Sequence, residues 1–244
     1  MKIFSPRALA LMRKELYSAL YAPATYGIAL FFLLFVSIWF FYLQRFFAMD
    51  TATLRPFFSA FPLAFILVIP VITMKAWAEE RKLGSVELLL TMPFSEWELV
   101  LGKFLSSFVI LLSFLILTLP VPLSLLPLGD FDPGVIAGEY AGAVFLGASA
   151  TSLGIFLSSL AKNQGGAFLG SAVVLMAVML LNQLTLQTNL PEALTGFINF
   201  VSLSFHFESF SRGLLDSRDL AFFILTTVLF LFLNTQVVIY RKWR

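Results

Sequence analysis

Six apolar runs, each about long enough to cross the ~30 Å hydrocarbon layer of a bilayer, constrain this chain more than anything else in it. They are Thr25 to Tyr42, Phe57 to Met74, Leu99 to Leu119 (extending toward Leu126), Tyr140 to Leu160, Gly165 to Leu186 and Leu220 to Ile239. In lipid, every backbone N–H and C=O of a spanning segment must be satisfied internally, so runs of this length read as helices. The expected fold is an all-α membrane protein with six transmembrane helices. Only 12% of the 244 residues are charged, against about 25% in a soluble domain. That is too little polar surface to cover a water-exposed globule. Prolines 62, 70, 120 and 122 lie inside or near the ends of the second and third runs and are expected to kink them.

Lysine and arginine set the orientation. With the N-terminus inside, twelve of the sixteen fall in inner segments; Arg45, Arg55, Arg212 and Arg218 fall outside. An even span count then puts both termini in the cytoplasm. Residues 5 to 22, SPRALALMRKELYSALYA, have helical spacing, with Leu9, Met12, Leu16 and Leu20 on one side and Arg13 and Lys14 on another. Basic amphipathic helices of this kind lie along the membrane surface; the bland alternative is an ordinary tail. Pro23 breaks the chain before the first run. No small-x-small cleavage site follows that run, which reads as a retained anchor.

Several chemistries are excluded. No G-x-x-x-x-G-K-[ST] phosphate loop is present, so ATP, if used, binds another chain. One histidine, His206, rules out H-E-x-x-H zinc sites, and there is no G-x-S-x-G elbow. The chain has no cysteine, and a net charge of +2 gives nucleic acid no electrostatic footing. No acidic or basic residue falls at the middle of a run, which counts against ion-coupled carriers and proton pumps. Asn182, Gln183, Asn234 and Gln236 are the most polar span residues. They suit interhelical hydrogen bonds or the lining of a pathway. His206 lies near Glu208 and has two readings, packing or substrate contact.

Two segments suggest specific packing. The fourth run is rich in small residues, and Ala143, Gly147 and Thr151 repeat every fourth position. That spacing permits close helix approach, within the chain or across a subunit interface. The connection from about 187 to 219 is too apolar for a free loop and too interrupted for a span. A pair of short helices re-entering the outer leaflet fits, provided protein covers them.

The densest polar stretch is AEERKLGSVELLLTMPFS, residues 78 to 95, between the second and third runs. Lys75 to Arg81 continues the second helix beyond the membrane, and Gly84 ends it. Ser85 can cap a short new helix with Glu87 near its positive end. Val86, Leu88, Leu89 and Leu90 then give it apolar knobs, and Pro93 stops it. Ser95 and Glu98 form a capping-box pattern opening the third helix. A short rigid element showing leucines and carboxylates is a docking surface; the bland reading is a helix lying in the headgroups.

The order E-E-R-K-x-G-S-x-E-L-L-L-T-x-P, followed by S-x-W-E-L-V-L-G-K-F, resembles the ABC-2 class of permease subunits, most closely the gliding-motility type. K-E-L-Y-S-A-L-Y-A-P-A-T-Y, F-P-L-A-F-I-L-V-I-P-V-I-T-M-K-A-W-A-E-E and H-F-E-S-F-S-R-G-L-L-D-S-R-D extend the likeness over nearly the whole chain. The resemblance implies one ABC-2 membrane domain over 1–244. It has an elbow helix in 1–24, a coupling-helix loop in 78–95 and an outer re-entrant segment in 187–219. It implies an exporter permease in the bacterial inner membrane with no catalytic site and no cofactor of its own. ATP and magnesium would be held by a partner ATPase dimer. The second permease half would be an identical chain or a companion membrane protein with a large extracytoplasmic domain. Glu79, Glu80, Arg81, Gly84, Ser85, Glu87, Leu88, Leu90 and Pro93 would couple to the ATPase, braced by Arg7, Arg13, Lys14 and Glu15. Two alternatives stand beside this: a complex that acts mechanically on an outer partner without transport, and an ATP-independent carrier.

Overall fold

The computed structural model describes residues 6–48, 53–84, 94–187, 191–211, 213 and 216–242. All of the regular structure among them is helical, and six helices are long and apolar enough to cross a membrane. In chain order the α-helices are α1 (Pro6–Tyr21), α2 (Pro23–Ile38), α3 (Arg55–Phe58), α4 (Ala60–Thr73), α5 (Lys75–Lys82) and α6 (Glu96–Thr118). There follow α7 (Pro120–Leu125), α8 (Pro133–Leu160), α9 (Gln164–Gln187), α10 (Glu192–Val201), α11 (Leu203–Ser211) and α12 (Ser217–Lys242). The spans are Pro23–Ala48, Arg55–Lys82, Glu96–Leu128, Pro133–Leu160, Gln164–Gln183 and Ser217–Lys242. Each expected run lies within the helical segment that carries it, the fifth, Gly165 to Leu186, within α9. The helices reach further because a lipid run marks only the apolar middle of a helix whose ends stand in polar surroundings.

The centre is α8, which packs on α12, α9, α4, α11, α6 and α5. Its start is set by Asp132, whose side chain accepts from the Gly134 N–H at 2.7 Å, with Pro133 in the first turn. Proline there loses no helical hydrogen bond. The helix therefore begins seven residues before Tyr140 and carries Glu139 into the fold, fully buried. A Cβ added to Gly142 would stand 2.7 Å from Phe210, one on Gly147 2.4 Å from Leu111, and one on Gly154 2.5 Å from Thr73. Ala143 and Thr151 are buried in the same helix. The small-residue pattern thus serves internal packing, where absent side chains let helix backbones approach.

A phenylalanine cluster fills the space between α2, α4 and α6. Phe32 lies 5.7 Å from Phe61, 6.1 Å from Phe65 and 6.3 Å from Phe114, ring centre to ring centre. The second span is jointed. Pro70 lies inside α4, and the helix is reset at Met74, whose N–H donates to the Pro70 carbonyl at 2.8 Å before α5 begins. Proline has no N–H for the ladder, which weakens the turn around it.

The N-terminal helix packs on the bundle along one narrow side. Ala8 and Leu11 are buried and Glu15 and Ala19 partly so, against α6 and the bundle, while Leu9, Tyr17, Leu20 and Tyr21 are exposed. Leu9 and Leu20, on the leucine-rich side, are thus left open to the surroundings of the bundle, as a helix lying along a membrane surface requires. The backbone of α6 at Gly102 admits Leu11: a Cβ there would meet its Cδ2 at 2.9 Å.

Replacing Gly154 by valine is expected to cost about 1–3 kcal/mol by overpacking and to lower the melting temperature in detergent. Gly170→Ala, with nothing within 4 Å of the new Cβ, leaves the melting temperature unchanged or slightly raised.

Candidate functional site

Charged contacts gather at the end of the bundle that carries both described chain ends and the connection between α5 and α6. Lys103, on α6, is 1% exposed. An unpaired ammonium there would be very costly. Its Nζ lies 2.9 Å from a Glu80 carboxylate oxygen on α5 and 3.3 Å from Glu15 on α1, and sits 5.0 Å from the centre of the Trp77 ring. One cation thus ties three helices, and one of its two carboxylates comes from the N-terminal helix. In the sequence Lys103 is one more basic residue of an inner segment; a lysine amid F-L-S-S gives no sign of its partners, of which Glu15 lies 88 residues upstream.

Arg81 makes the next link. Its guanidinium donates to the carbonyls of Ser159 and Ala161, the bare C-terminal end of α8. Those carbonyls have no helical partner, and a cation there also meets the negative end of the helix dipole. Trp77 N–H donates to Ser158 Oγ at 3.2 Å, and that hydroxyl donates to the Met74 carbonyl at 3.2 Å. So α5 is fixed to α8 along its length. Leu83 N–H and Gly84 N–H close the helix onto Glu79 and Arg81 carbonyls, and Gly84 has φ +68°, the left-handed conformation that glycine tolerates at a helix end.

The far side of the connection is held equally well. Ser95 Oγ accepts from Glu98 N–H at 3.3 Å, and Glu98 accepts from Ser95 N–H at 2.8 Å, the reciprocal box expected from S-x-x-E. Glu96 pairs with Lys242 of α12 at 2.8 Å. Gly84 and Ser95, the described residues on either side of the connection, are therefore both anchored through contacts that reach α1, α8 and α12.

Of the residues expected to couple, Glu79, Glu80, Arg81 and Gly84 stand at this anchored base. Ser85, Glu87, Leu88, Leu90 and Pro93 lie outside the described residues, as does the Arg7 side chain. Glu15 joins the cluster through Lys103, whereas Arg13 and Lys14 are exposed. The four span amides divide: Asn182 and Asn234 are buried, Gln183 and Gln236 exposed. Neither amide atom of Asn234 has a hydrogen-bond partner among the described residues.

At the opposite end, His206 is buried and structural. Nδ1 meets Asp219 of α12 at 2.6 Å and Nε2 meets the Phe200 carbonyl at 3.1 Å, with the ring stacked 3.8 Å from Phe222. It clasps α10 and α11 to α12. Asp219 lies thirteen residues away, in the next helix, beyond what local sequence exposes.

Six helices long and apolar enough to cross a membrane, with charged joints at one end, define a multi-pass membrane protein. The profile described as "ABC-2 family transporter protein" matches residues 9–240. The chain belongs to that family. Comparison with curated proteins found no match.

Lys103→Met is expected to destabilise the protein by about 3–5 kcal/mol, because two carboxylates lose their only shared cation. Glu15→Gln costs less, since Glu80 remains. Thermal unfolding of the three purified proteins in one detergent checks the ranking.

Proposed function

We infer that this chain is the permease subunit of an ATP-driven exporter of the gliding-motility type within its family, worked by a separate ATPase dimer. The carrying observation is the anchored base of the 84–95 connection. A segment meant to receive force needs both ends fixed to the transmembrane helices, and Arg81, Lys103, the Ser95–Glu98 box and Glu96 supply that. Glu87, Leu88 and Leu90 would contact the ATPase, with Ser85 and Pro93 bounding the contact element. Glu79, Glu80 and Gly84 would set its angle. Arg13 and Lys14 would brace the same partner from α1. On the positive-inside count this end faces the cytoplasm of a bacterial inner membrane. A second six-span half, the same chain or a companion, would complete the pathway.

The chain lacks cysteine, so single-cysteine labelling has no background. Leu83→Cys, on an exposed position, reacts with a membrane-impermeant maleimide only in inside-out vesicles. Labelling in right-side-out vesicles overturns the orientation. Glu87→Arg and Leu90→Asp leave the protein inserted but lose the ATPase on co-purification, as loss of an interface hot spot costs about 2 kcal/mol or more. Retention of both the ATPase and full transport would show that the contact lies elsewhere.

A further inference from the structure

A cleft of about 420 Å³ opens beside the Lys103 cluster, walled by the end of α1, the start of α2, the end of α4, α5 and α6. It has the size of a small-ligand site. Its polarity is graded along the helix axes. Ile28, Val71, Ile72 and Ile110 line one end. The charged residues begin one turn further along at Lys75 and reach Glu79 and Glu80 eight residues on, about 12 Å at 1.5 Å per residue. Apolar inward and charged at the bundle end is the profile of an amphiphile standing in one leaflet.

The charges narrow the occupant. Three lysines (Lys14, Lys75, Lys103) and three glutamates (Glu15, Glu79, Glu80) line the cleft, so its formal charge balances. Lys103 is committed to Glu15 and Glu80, and Lys14 lies 3.9 Å from Glu15. Lys75 and Glu79 take part in no ion pair or side-chain hydrogen bond among the described residues. They sit one turn apart on one face of α5, with lysine first, the order in which such pairs bind each other less well. Half-buried and lining the cleft, they present one cation and one anion from neighbouring turns, with Cβ atoms about 5–6 Å apart.

We propose that this cleft holds a resident glycerophospholipid with a zwitterionic, amine-bearing headgroup, its phosphate at Lys75 and its ammonium at Glu79. The ammonium offers N–H donors to the Glu79 carboxylate, and the phosphate accepts from the Lys75 ammonium, both charge-assisted bonds. The glycerol and the first acyl carbons lie against Ile28, Val71 and Ile72. An anionic lipid would leave Glu79 facing like charge. The lipid so placed spans α1, α2 and α5 and seals the N-terminal helix to the bundle. The proposal rests on the membrane placement of the helices and not on coupling to an ATPase.

The test uses the purified full chain, stripped of lipid in detergent. Dioleoyl phosphatidylethanolamine and phosphatidylglycerol are added at equal mole ratio. The expected result is a higher melting temperature with the ethanolamine lipid than with the glycerol lipid, and one retained lipid per chain by native mass spectrometry. Lys75→Gln and Glu79→Gln each abolish the difference. Ala24→Trp, at the exposed mouth of the cleft, abolishes lipid retention with all charges intact, which covers the case in which a charge variant fails to fold. Equal stabilisation by the two lipids, a preference for the anionic one, or unchanged retention in Ala24→Trp overturns the proposal. None of these readings involves an ATPase, so they stand or fall apart from the labelling and co-purification outcomes.

Discussion

Close approach at α8 is the condition on which the remaining structure depends. Lipid is as apolar as leucine, so helices inside a bilayer gain little by hiding apolar side chains from it, and association rests on packing contact. Gly142, Gly147 and Gly154 bring Phe210, Leu111 and Thr73 within distances that any side chain would block. Those three contacts bind the central helix to α11, α6 and α4 in turn. The phenylalanine cluster between α2, α4 and α6 then fills what the close contacts leave open.

Polar contacts have a different task. Buried charges in such a setting are costly unless paired, and the ion pairs here lie toward helix ends. Lys103 joins α6 to α1 and α5; Arg81 joins α5 to α8; Lys242 joins α12 to α6. At the opposite end, His206 and Asp219 do the same for α11 and α12. The middle of the bundle is left to packing, which agrees with the scarcity of mid-span charge in the sequence.

Much of this was legible in advance, for reasons that differ by feature. The spans follow from hydropathy because lipid enforces it at every position. The Gly84 stop and the Ser95–Glu98 box were legible because both are local: the conformation and the hydrogen bonds involve residues at most three positions apart. The partners of Lys103, Arg81 and His206 were not, since they lie 88, 80 and 13 residues away and no local pattern encodes them. The grip on α1 was not legible either, since Leu11 is held by Gly102 of α6, a fit that periodicity alone does not report. Asn234 lies buried with both amide atoms unpartnered among the described residues, an environment that its place in an apolar run did not reveal.

The joint at Met74 has a mechanical implication. Above it, α4 belongs to the aromatic cluster; below it, α5 is riveted to α8 by Ser158 and Arg81. The second span is thus two rods on one pivot. A push delivered at Gly84 travels first along the lower rod into the hub of the bundle, and the upper rod follows only as far as the pivot transmits torque. Stiffness at Met74, set by the proline one turn before it, would govern how far a displacement at one membrane face is felt at the other.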